Sequence, residues 1–347
     1  MSTTVFDPTP DVERVRQLAT ETLGTLSRPI GAMPLAASRV SGKKAFWGGP
    51  AQILGSLLLT GSVSLLENTL CRRVVMDGDR ATGVDVVDLT SGTSRRIHAD
   101  AVIVAADTLR TPQLLWASGI RPAALGHNLN DQPQVVGGVR YLGQGEAPEV
   151  DMSADVRDRF AGVTWVPYDR ERHPFHGQIL QLEAAPIAVG GDLADRLLLL
   201  SWFLPKDIRS EDRVEFSSTA TDRYGMPAMR ITYGLSEEDL RRVENAKHVV
   251  TRLGLALGWF EPSALPRLLP AGSSMHYQGT VRMGRTDDGG SVSDTHGRVW
   301  GTANVFVAGN GVIPTETACN PTATAVALAV RTGREIASVF TSEAIAS

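Results

Sequence analysis

The chain has 347 residues, of which 42% are hydrophobic and 21% are charged, and its formal net charge at pH 7 is −4. This composition is typical of soluble globular proteins with room for two domains, and the acidic balance argues against nucleic-acid binding, which requires a basic face. No apolar run reaches the roughly 20 residues of a membrane-spanning helix, so no membrane association is expected. The N-terminus lacks the basic start and apolar core of a secretory signal, and only two cysteines occur. We therefore expect a cytoplasmic protein without a disulfide framework.

The N-terminal part of the chain is predicted to contain one helix followed by strands. Apolar side chains recur at helical spacing over residues 10–24, which predicts a helix. Residues 25–55 are rich in Pro, Gly and Ser and are expected to be irregular. Residues 61–104 alternate apolar and polar side chains, with tight turns predicted at Gly78 and Gly92, and therefore indicate strands.

Two short apolar runs are typical of buried parallel strands. They cover residues 101–106 and 304–309. Each is followed by a predicted helix, one starting near Thr111 and the other at Pro321, where proline is suited to the first turn.

The region between these runs predicts a second group of elements. Residues 134–265 contain strand-like runs, including 178–189 and 196–204, and a helix at about 236–257 with acidic side chains in its first turn. The alternation of strands and helices along the chain predicts an α/β fold.

The segment that begins at His276 carries side chains suited to the oxidation of an alcohol. His276 opens the pattern His-Tyr-Gln-Gly-Thr, and a glycine-rich passage leads from Gly309 to the pair Asn320-Pro321. A neutral imidazole can accept the proton that an alcohol releases when it is oxidised. A His and an Asn beside a glycine-rich strand-to-helix passage are therefore suited to alcohol oxidation.

This C-terminal pattern resembles the flavin-and-catalysis segment of the glucose–methanol–choline (GMC) oxidoreductases. In that family the His stands in H-x-x-G-T followed by a Met, here Met283. The Asn-Pro pair at 320–321 resembles the pair found at this place in one branch of the family, the pyranose oxidases and related sugar or glycoside oxidases. The resemblance extends through most of residues 30–340.

Two further segments resemble the same family. Residues 126–133 match G-x-N-L-x-D-H-P with Gln132 in place of the usual His, and residues 105–115 resemble A-G-A-x-x-T-P-x-L-L with Asp107 in place of the usual Gly.

The resemblance implies a catalytic role for His276 and Asn320. His276 would take the hydroxyl proton, Asn320 would orient the alcohol, and the hydride would pass to flavin N5. The residues alone leave two alternatives open. The His could be held in a loop by backbone hydrogen bonds, and Asn320 could serve only as the N-cap before Pro321.

The resemblance also implies a bound FAD. The N-terminus of the helix at Pro321 would favour negative charge on the reduced flavin, with Thr322 as a contact. Further cofactor neighbours are implied at strand ends and turns: Cys71, Arg72, Ala106, Thr108, Asn128, Gly309, Asn310 and Gly311.

The domain organisation follows from the same resemblance. Residues 56–130 and 269–347 are expected to form a partial, doubly wound FAD-binding domain. Residues 131–268 are expected to form a substrate domain with a mainly antiparallel sheet, and residues 1–55 a lead-in segment.

The fingerprint G-x-G-x-x-G, which holds a dinucleotide pyrophosphate, occurs nowhere in the sequence. Gly309-Asn310-Gly311 comes nearest but lacks the third glycine. Because GMC proteins carry this fingerprint at their N-terminus, the resemblance implies that an N-terminal portion is absent. The chain is then expected to be the C-terminal portion of such an oxidoreductase. Two alternatives stay open: the catalytic subunit of a split flavoenzyme whose partner chain supplies the N-terminal half, and a non-catalytic truncated remnant.

The expected activity is oxidation of a CH–OH group of a sugar or glycoside, with oxygen or a quinone as the final acceptor. The sequence has no histidine spacing that predicts a metal site, and His173 and His176 are expected in a surface loop. There is no G-x-S-x-G pattern, so serine nucleophile chemistry is unsupported.

Overall fold

The structure is a computed structural model that describes residues 10–40, 44–47, 49–141, 160–182 and 197–346. Its α-helices are α1 (Pro10–Leu23), α2 (Pro50–Leu59), α3 (Asp107–Ala117), α4 (Glu237–Leu257) and α5 (Thr322–Ala346). Its strands are β1 (Gly31–Ala32), β2 (Ala37–Val40), β3 (Lys44–Trp47), β4 (Thr69–Asp77), β5 (Arg80–Asp88), β6 (Ser94–His98), β7 (Val102–Val104), β8 (Gln134–Tyr141), β9 (Phe160–Val166), β10 (His176–Leu182), β11 (Leu197–Phe203), β12 (Arg213–Thr221), β13 (Pro227–Thr232), β14 (Gly258–Phe260), β15 (Arg267–Leu268) and β16 (Val305–Val307).

The chain divides into two compact units, each built from three segments. The first unit comprises Met1–Leu65, Pro133–Pro205 and Glu237–Ser273, and the second comprises Leu66–Gln132, Lys206–Ser236 and Ser274–Ser347. The segment Lys206–Ser236 thus belongs with the C-terminal segment, although it falls inside the predicted substrate domain. The functions assigned to the predicted domains stay a prediction.

The first unit is organised around an antiparallel sheet. The strand order is β1-β9-β10-β11-β8-β14, and β15 also pairs with β8. Helix α4 packs on this sheet at β8. Its residues Val243, Val250 and Leu257 are almost fully buried and share one helix face because they are seven residues apart. The predicted mainly antiparallel sheet is confirmed.

The predicted helices of the first unit are confirmed, with α1 ending at Leu23 and α4 beginning at Glu237. The expectation that residues 25–55 are irregular is wrong in part, because β1, β2, β3 and the start of α2 fall there. Pro50 stands in the first turn of α2, where its missing N–H costs nothing. Of the predicted strand 178–189, β10 covers the residues up to Leu182, and residues 183–189 lie outside the described residues.

The prediction that His173 and His176 lie in a surface loop is wrong, because they are only 2% and 3% exposed. Trp202 Nε1 donates to His173 Nε2 at 2.9 Å. His173 Nδ1 therefore carries the proton and donates to the carbonyl of Pro167 at 3.3 Å. Burial lowers the pKa of His173, and the backbone hydrogen bond to Pro167 opposes that effect in part.

The second unit contains the two strands predicted from the apolar runs, and the structure pairs them with each other. Strands β7 and β16 align in parallel with Val102 opposite Val305 and Val104 opposite Val307. These four valines are buried. The expectation that the run 101–106 is buried is wrong at Ile103, which is 52% exposed, and at Ala105 and Ala106, which are also exposed.

Two antiparallel sheets complete the second unit. They have the strand orders β4-β5-β6 and β12-β13. The predicted turns at Gly78 and Gly92 are confirmed, but the first strand begins at Thr69, so residues 61–68 are not strand as expected. The α/β fold class predicted from the sequence is confirmed.

Helix α3 begins four residues before the predicted start at Thr111. Asp107 opens the helix with a φ of 62°. Its Oδ1 accepts the N–H groups of Leu109 and Arg110 at 2.5 and 3.0 Å. Aspartate tolerates this left-handed conformation and its carboxylate satisfies first-turn donors, so it can stand where the related pattern has glycine. Among the described helices, none is both long and apolar enough to cross a membrane.

Candidate active site

His276 lies in a segment that backbone hydrogen bonds hold on two sides. On one side, Gln278 and Asn130 exchange two N–H···O bonds of 2.9 Å. On the other, the N–H of Val281 donates to the carbonyl of Gly311 at 3.1 Å. These bonds join the segment to two distant parts of the second unit and give the imidazole a rigid support.

The glycine of the H-x-x-G-T pattern is required by a close backbone approach. Gly279 has a φ of 95°, and a Cβ added there would lie 2.1 Å from the carbonyl oxygen of Asn128. Asn128 itself has a φ of 59°, a conformation that asparagine tolerates better than most residues. The predicted cofactor neighbour Asn128 is therefore part of the support beneath the His276 segment.

The structure brings the two predicted catalytic residues together. Asn320 Nδ2 lies 3.4 Å from His276 Nε2, although 44 residues separate them in the sequence. Both side chains are half-buried. One imidazole nitrogen and one amide group thus face each other, and an alcohol oxygen bound beside them could contact both.

The other imidazole nitrogen contacts a buried glutamine. His276 Nδ1 lies 2.8 Å from Gln132 Oε1. The amide nitrogen of Gln132 donates at 2.8 Å to both Thr317 Oγ1 and the carbonyl of Cys319. Gln132 is only 2% exposed, so these bonds are shielded from competing water.

Burial sets the protonation state of the imidazole. It lowers the pKa of His276 below its usual value, and the nearby Asp131 carboxylate raises that pKa in part. Ser274 links the two residues, because its hydroxyl donates to Asp131 and accepts the N–H of His276 at 3.0 Å. The neutral form that a general base needs is therefore favoured at neutral pH.

Helix α5 starts two residues after Asn320. The N–H of Ala325 donates to the carbonyl of Pro321 at 2.9 Å, and α5 begins at Thr322 rather than at Pro321 as predicted. Pro321 therefore occupies the N-cap position, and Asn320 precedes it. Thr322 and the rest of the first turn are exposed, so the first N–H groups and the positive end of the helix dipole lie at the surface of the unit.

The carboxyl ends of β7 and β16 lie at one edge because the strands are parallel. Ala106 follows β7 and is exposed, while Gly309 and Asn310 follow β16 and are half-buried. Gly309 has a φ of 104°, and no atom lies within 4 Å of the position a Cβ would take. In open α/β sheets, ligands bind outside this edge.

Two of the predicted cofactor residues are buried beside the His276 segment. Thr108 is 3% exposed, and its hydroxyl donates to the carbonyl of Tyr277 at 2.7 Å. Gly311 is also buried, and a Cβ there would lie 2.8 Å from Val281 Cγ2. Both residues fix the segment from the side of the parallel strands.

The predicted neighbours Cys71 and Arg72 lie on β4. The thiol of Cys71 is 3.8 Å from the carbonyl of Arg73, and burial raises its pKa. Arg72 is exposed, with its guanidinium beside Gly225. The contacts described for these two residues are with Arg73 and Gly225, and they do not include His276 or Asn320. Their role as cofactor neighbours stays a prediction.

Sequence reasoning missed the residues that orient His276. Gln132 was noted only as a departure from the related pattern, and neither Thr317 nor Ser274 was singled out. The one available signal was Gln132, an amide standing where a histidine is usual. Among the described residues, no group of three or more His, Cys, Asp or Glu side chains is placed to hold a metal ion.

Two family models match the chain, and both are described as GMC oxidoreductase. The N-terminal model matches residues 43–134 and the C-terminal model matches residues 209–329. The matched ranges include Asn128, Gln132, His276 and Asn320.

Curated relatives match over nearly the whole chain. The C-glycoside 3-oxidase of Arthrobacter globiformis is 44% identical over 355 residues, covering 100% of this chain and 68% of the relative. That of Microbacterium trichothecenolyticum is 44% identical, covering 99% and 68%. The pyranose 2-oxidase of Tricholoma matsutake is 28% identical, covering 93% and 62%.

Solved structures show the same fold at low sequence identity. A pyridoxine 4-oxidase from Mesorbium loti superposes with a TM-score of 0.65 at 19% identity, covering 94% of this chain and 70% of that structure. A formate oxidase superposes with a TM-score of 0.62 at 16% identity, covering 79% and 60%.

Proposed function

Because the chain belongs to the GMC oxidoreductase family, we propose that it oxidises a CH–OH group of a sugar or glycoside with FAD as cofactor. The resemblance predicted from the sequence is confirmed by both family models and by relatives at 44% identity. The chain is an oxidoreductase. The substrate class, the cofactor and the roles of individual residues are the content of the proposal.

One observation carries the proposal: His276 and Asn320 present a basic nitrogen and an amide at a separation of 3.4 Å. Their proximity favours the catalytic interpretation of both residues over the alternatives of a loop histidine and a simple N-cap. Proton abstraction by a positioned side chain typically accelerates a reaction 10²–10⁴-fold.

The residues near the edge of β7 and β16 fit a flavin. Ala106 is exposed, the first turn of α5 is exposed, and Gly309 leaves open space where a side chain would otherwise stand. Ala106, Gly309 and Asn310 would lie along the cofactor, and the α5 N-terminus at Thr322 would stabilise negative charge on it. Bound FAD would supply the hydride acceptor at its N5.

The chain's own side chains would handle the proton and the orientation of the substrate. His276 Nε2 would accept the hydroxyl proton, and its lowered pKa keeps it ready to do so near neutral pH. The Asn320 amide would hydrogen-bond the same oxygen and fix the direction of the reacting C–H bond.

A sugar or glycoside is the proposed substrate because the similar proteins are named C-glycoside 3-oxidase and pyranose 2-oxidase. Oxygen or a quinone is the proposed final electron acceptor. We also propose that the protein acts in the cytoplasm.

A specific observation favours the alternative of a split enzyme. In the second unit, Val326 and Val330 of α5 are 38% and 49% exposed, and Ile103 of β7 is 52% exposed. A partner chain that packs a βαβ element here would cover these apolar side chains.

The visible absorption spectrum tests the proposal. We expect flavin bands that survive desalting after the purified chain is loaded with excess FAD, either alone or with the partner that co-purifies with it. A pyranoside added without oxygen should then bleach those bands. A folded protein that retains no flavin in either form would contradict the proposed function.

A further inference from the structure

We propose that Gln132 is a positioning residue that keeps the proton of neutral His276 on Nδ1 and leaves Nε2 as the proton acceptor. The proposal deepens the proposed function and rests on it for its catalytic meaning. The tautomer itself can be measured without cofactor or substrate.

The orientation of the Gln132 amide is fixed by a backbone carbonyl. The amide nitrogen lies 2.8 Å from the carbonyl oxygen of Cys319. Because a carbonyl oxygen only accepts, the group that faces it must be the NH₂ of the amide. A flipped amide would place two acceptors against each other in a buried position. Gln132 Oε1 must therefore face His276.

The orientation of Gln132 then determines the tautomer of His276. An amide oxygen carries no proton, so the bond of 2.8 Å between His276 Nδ1 and Gln132 Oε1 requires the proton on Nδ1. In a neutral imidazole the other nitrogen is then unprotonated. Nε2 consequently offers its lone pair toward Asn320, 3.4 Å away.

A second buried amide, that of Gln278, supports donation from the Gln132 amide nitrogen to the Thr317 hydroxyl. Gln278 Nε2 donates to the carbonyl of Thr315 at 3.3 Å, so Gln278 Oε1 is an acceptor. The Thr317 hydroxyl donates to Gln278 Oε1 at 3.3 Å. It therefore accepts the Gln132 bond of 2.8 Å. With both glutamines at most 2% exposed, reversing this chain would leave buried polar groups unsatisfied.

The Gln132 amide accepts from His276 Nδ1 without placing a negative charge beside the imidazole. A carboxylate would also accept a bond from Nδ1, but its charge would stabilise the imidazolium and raise the pKa of His276. Gln132 selects the tautomer without adding that charge. Burial can therefore keep the imidazole neutral beside the Asp131 carboxylate, which already raises this pKa in part.

Nuclear magnetic resonance of the chain labelled with ¹⁵N-histidine tests the tautomer directly. The chain has seven histidines, and His276→Ala identifies the signal of interest. We expect Nδ1 in the shift range of a protonated nitrogen and Nε2 in that of an unprotonated one. In Gln132→Met, both shifts should move to intermediate values because the two tautomers exchange. Protonated Nε2 in the wild type, or an unchanged spectrum in Gln132→Met, would overturn the proposal.

Gln134→Met is the matched control. Its amide donates to Ser201 Oγ at 2.8 Å in the first unit, so this variant also loses a glutamine hydrogen bond. The His276 signals should not change in this variant. A shift as large as that in Gln132→Met would show a non-specific effect of losing an amide and would count against the proposal.

The titration of His276 in Gln132→Glu gives a second readout that a merely structural residue would not move. We expect a higher pKa for His276, and the apo protein suffices if Gln132→Met does not fold. A pKa that is unchanged in Gln132→Glu would contradict contact between these side chains.

Kinetics of the FAD-loaded enzyme then separate this proposal from the proposed function. Gln132→Met should lower kcat on the order of 10- to 100-fold with little change in KM, less than the 10²–10⁴-fold that a whole general base supplies. An unchanged kcat despite mixed tautomers would refute the positioning role. No sugar oxidation by the wild type, with the predicted tautomer present, would refute only the proposed function.

Discussion

Each compact unit contains a histidine whose pKa is lowered by burial: His173 in the first unit and His276 in the second. The hydrogen-bond partners of the two rings differ in one respect. In the first unit, Trp202 donates to His173 Nε2, and His173 Nδ1 donates to a backbone carbonyl. In the second unit, His276 Nδ1 contacts Gln132 Oε1, while Nε2 faces the Asn320 amide.

The difference lies in the partner of Nε2. The lone pair on His173 Nε2 accepts a hydrogen bond from the Trp202 N–H at 2.9 Å, and His173 is only 2% exposed. The lone pair of His276 faces an amide at 3.4 Å, and the ring is half-buried. A neutral imidazole becomes a useful base only when its lone pair can reach a substrate proton. Burial and a lowered pKa alone do not distinguish a catalytic histidine from a structural one.

The largest expected effect is the loss of the base. We expect His276→Ala to reduce kcat of the FAD-loaded protein by about 10²–10⁴-fold, because proton abstraction from the alcohol loses its acceptor. Steady-state oxidation of a pyranoside provides the measurement. His173→Gln is the control, and it should leave kcat per bound FAD unchanged. Equal losses in both variants would remove the distinction between the two histidines.

A smaller effect is expected for the amide that faces His276. We expect Asn320→Ala to lower kcat about 10²-fold, comparable to the removal of one preorganised hydrogen-bond donor from an active site. Asn320→His should retain more activity, because an imidazole can also donate to the alcohol oxygen. Activity of Asn320→Ala equal to the wild type would restrict Asn320 to a role at the start of α5.

For His173 the expected effect is on stability. His173→Leu leaves the Trp202 N–H without its acceptor in the core, which should lower the free energy of unfolding by about 1–3 kcal/mol. Urea denaturation, followed by tryptophan fluorescence, measures the change. An unchanged free energy of unfolding in His173→Leu would contradict the structural role given to His173.

The smallest expected effect concerns pH. The folded pKa of His173 is lowered below the unfolded value of about 6.5. The neutral folded form therefore contributes stability that is present above pH about 6.5 and is lost as the pH falls through the folded pKa. His173→Gln should weaken this loss in urea titrations that compare pH values above and below about 6.5. The same acid sensitivity in the variant would assign it to other groups.

The regular elements of the fold were accessible from the sequence. Apolar periodicity located α1, and continuous apolar runs located β7 and β16, because burial demands apolar side chains at fixed spacings. Ile103 shows the limit of this reasoning, since an apolar run does not say which face a neighbouring element covers. The start of α3 was missed because Asp107 caps the helix in a conformation that the pattern does not reveal.

The candidate site was accessible only in part. His276 and Asn320 were predicted from the family resemblance, and the structure brings them together. Gln132 could not be assigned, because its partners His276 and Thr317 are 144 and 185 residues away in the sequence. Hydrogen bonds between such distant residues have no local pattern. For the same reason, the local sequence around His173 suggested a surface loop.

The most direct test of the central claim is the rate at which a pyranoside bleaches the flavin bands of the FAD-loaded protein without oxygen. The account predicts rapid bleaching in the wild type and bleaching slowed at least about 10²-fold in His276→Ala at equal FAD occupancy. Equal rates in the two proteins would contradict the assignment of His276 as the base. Bound flavin that no pyranoside bleaches would contradict sugar oxidation itself.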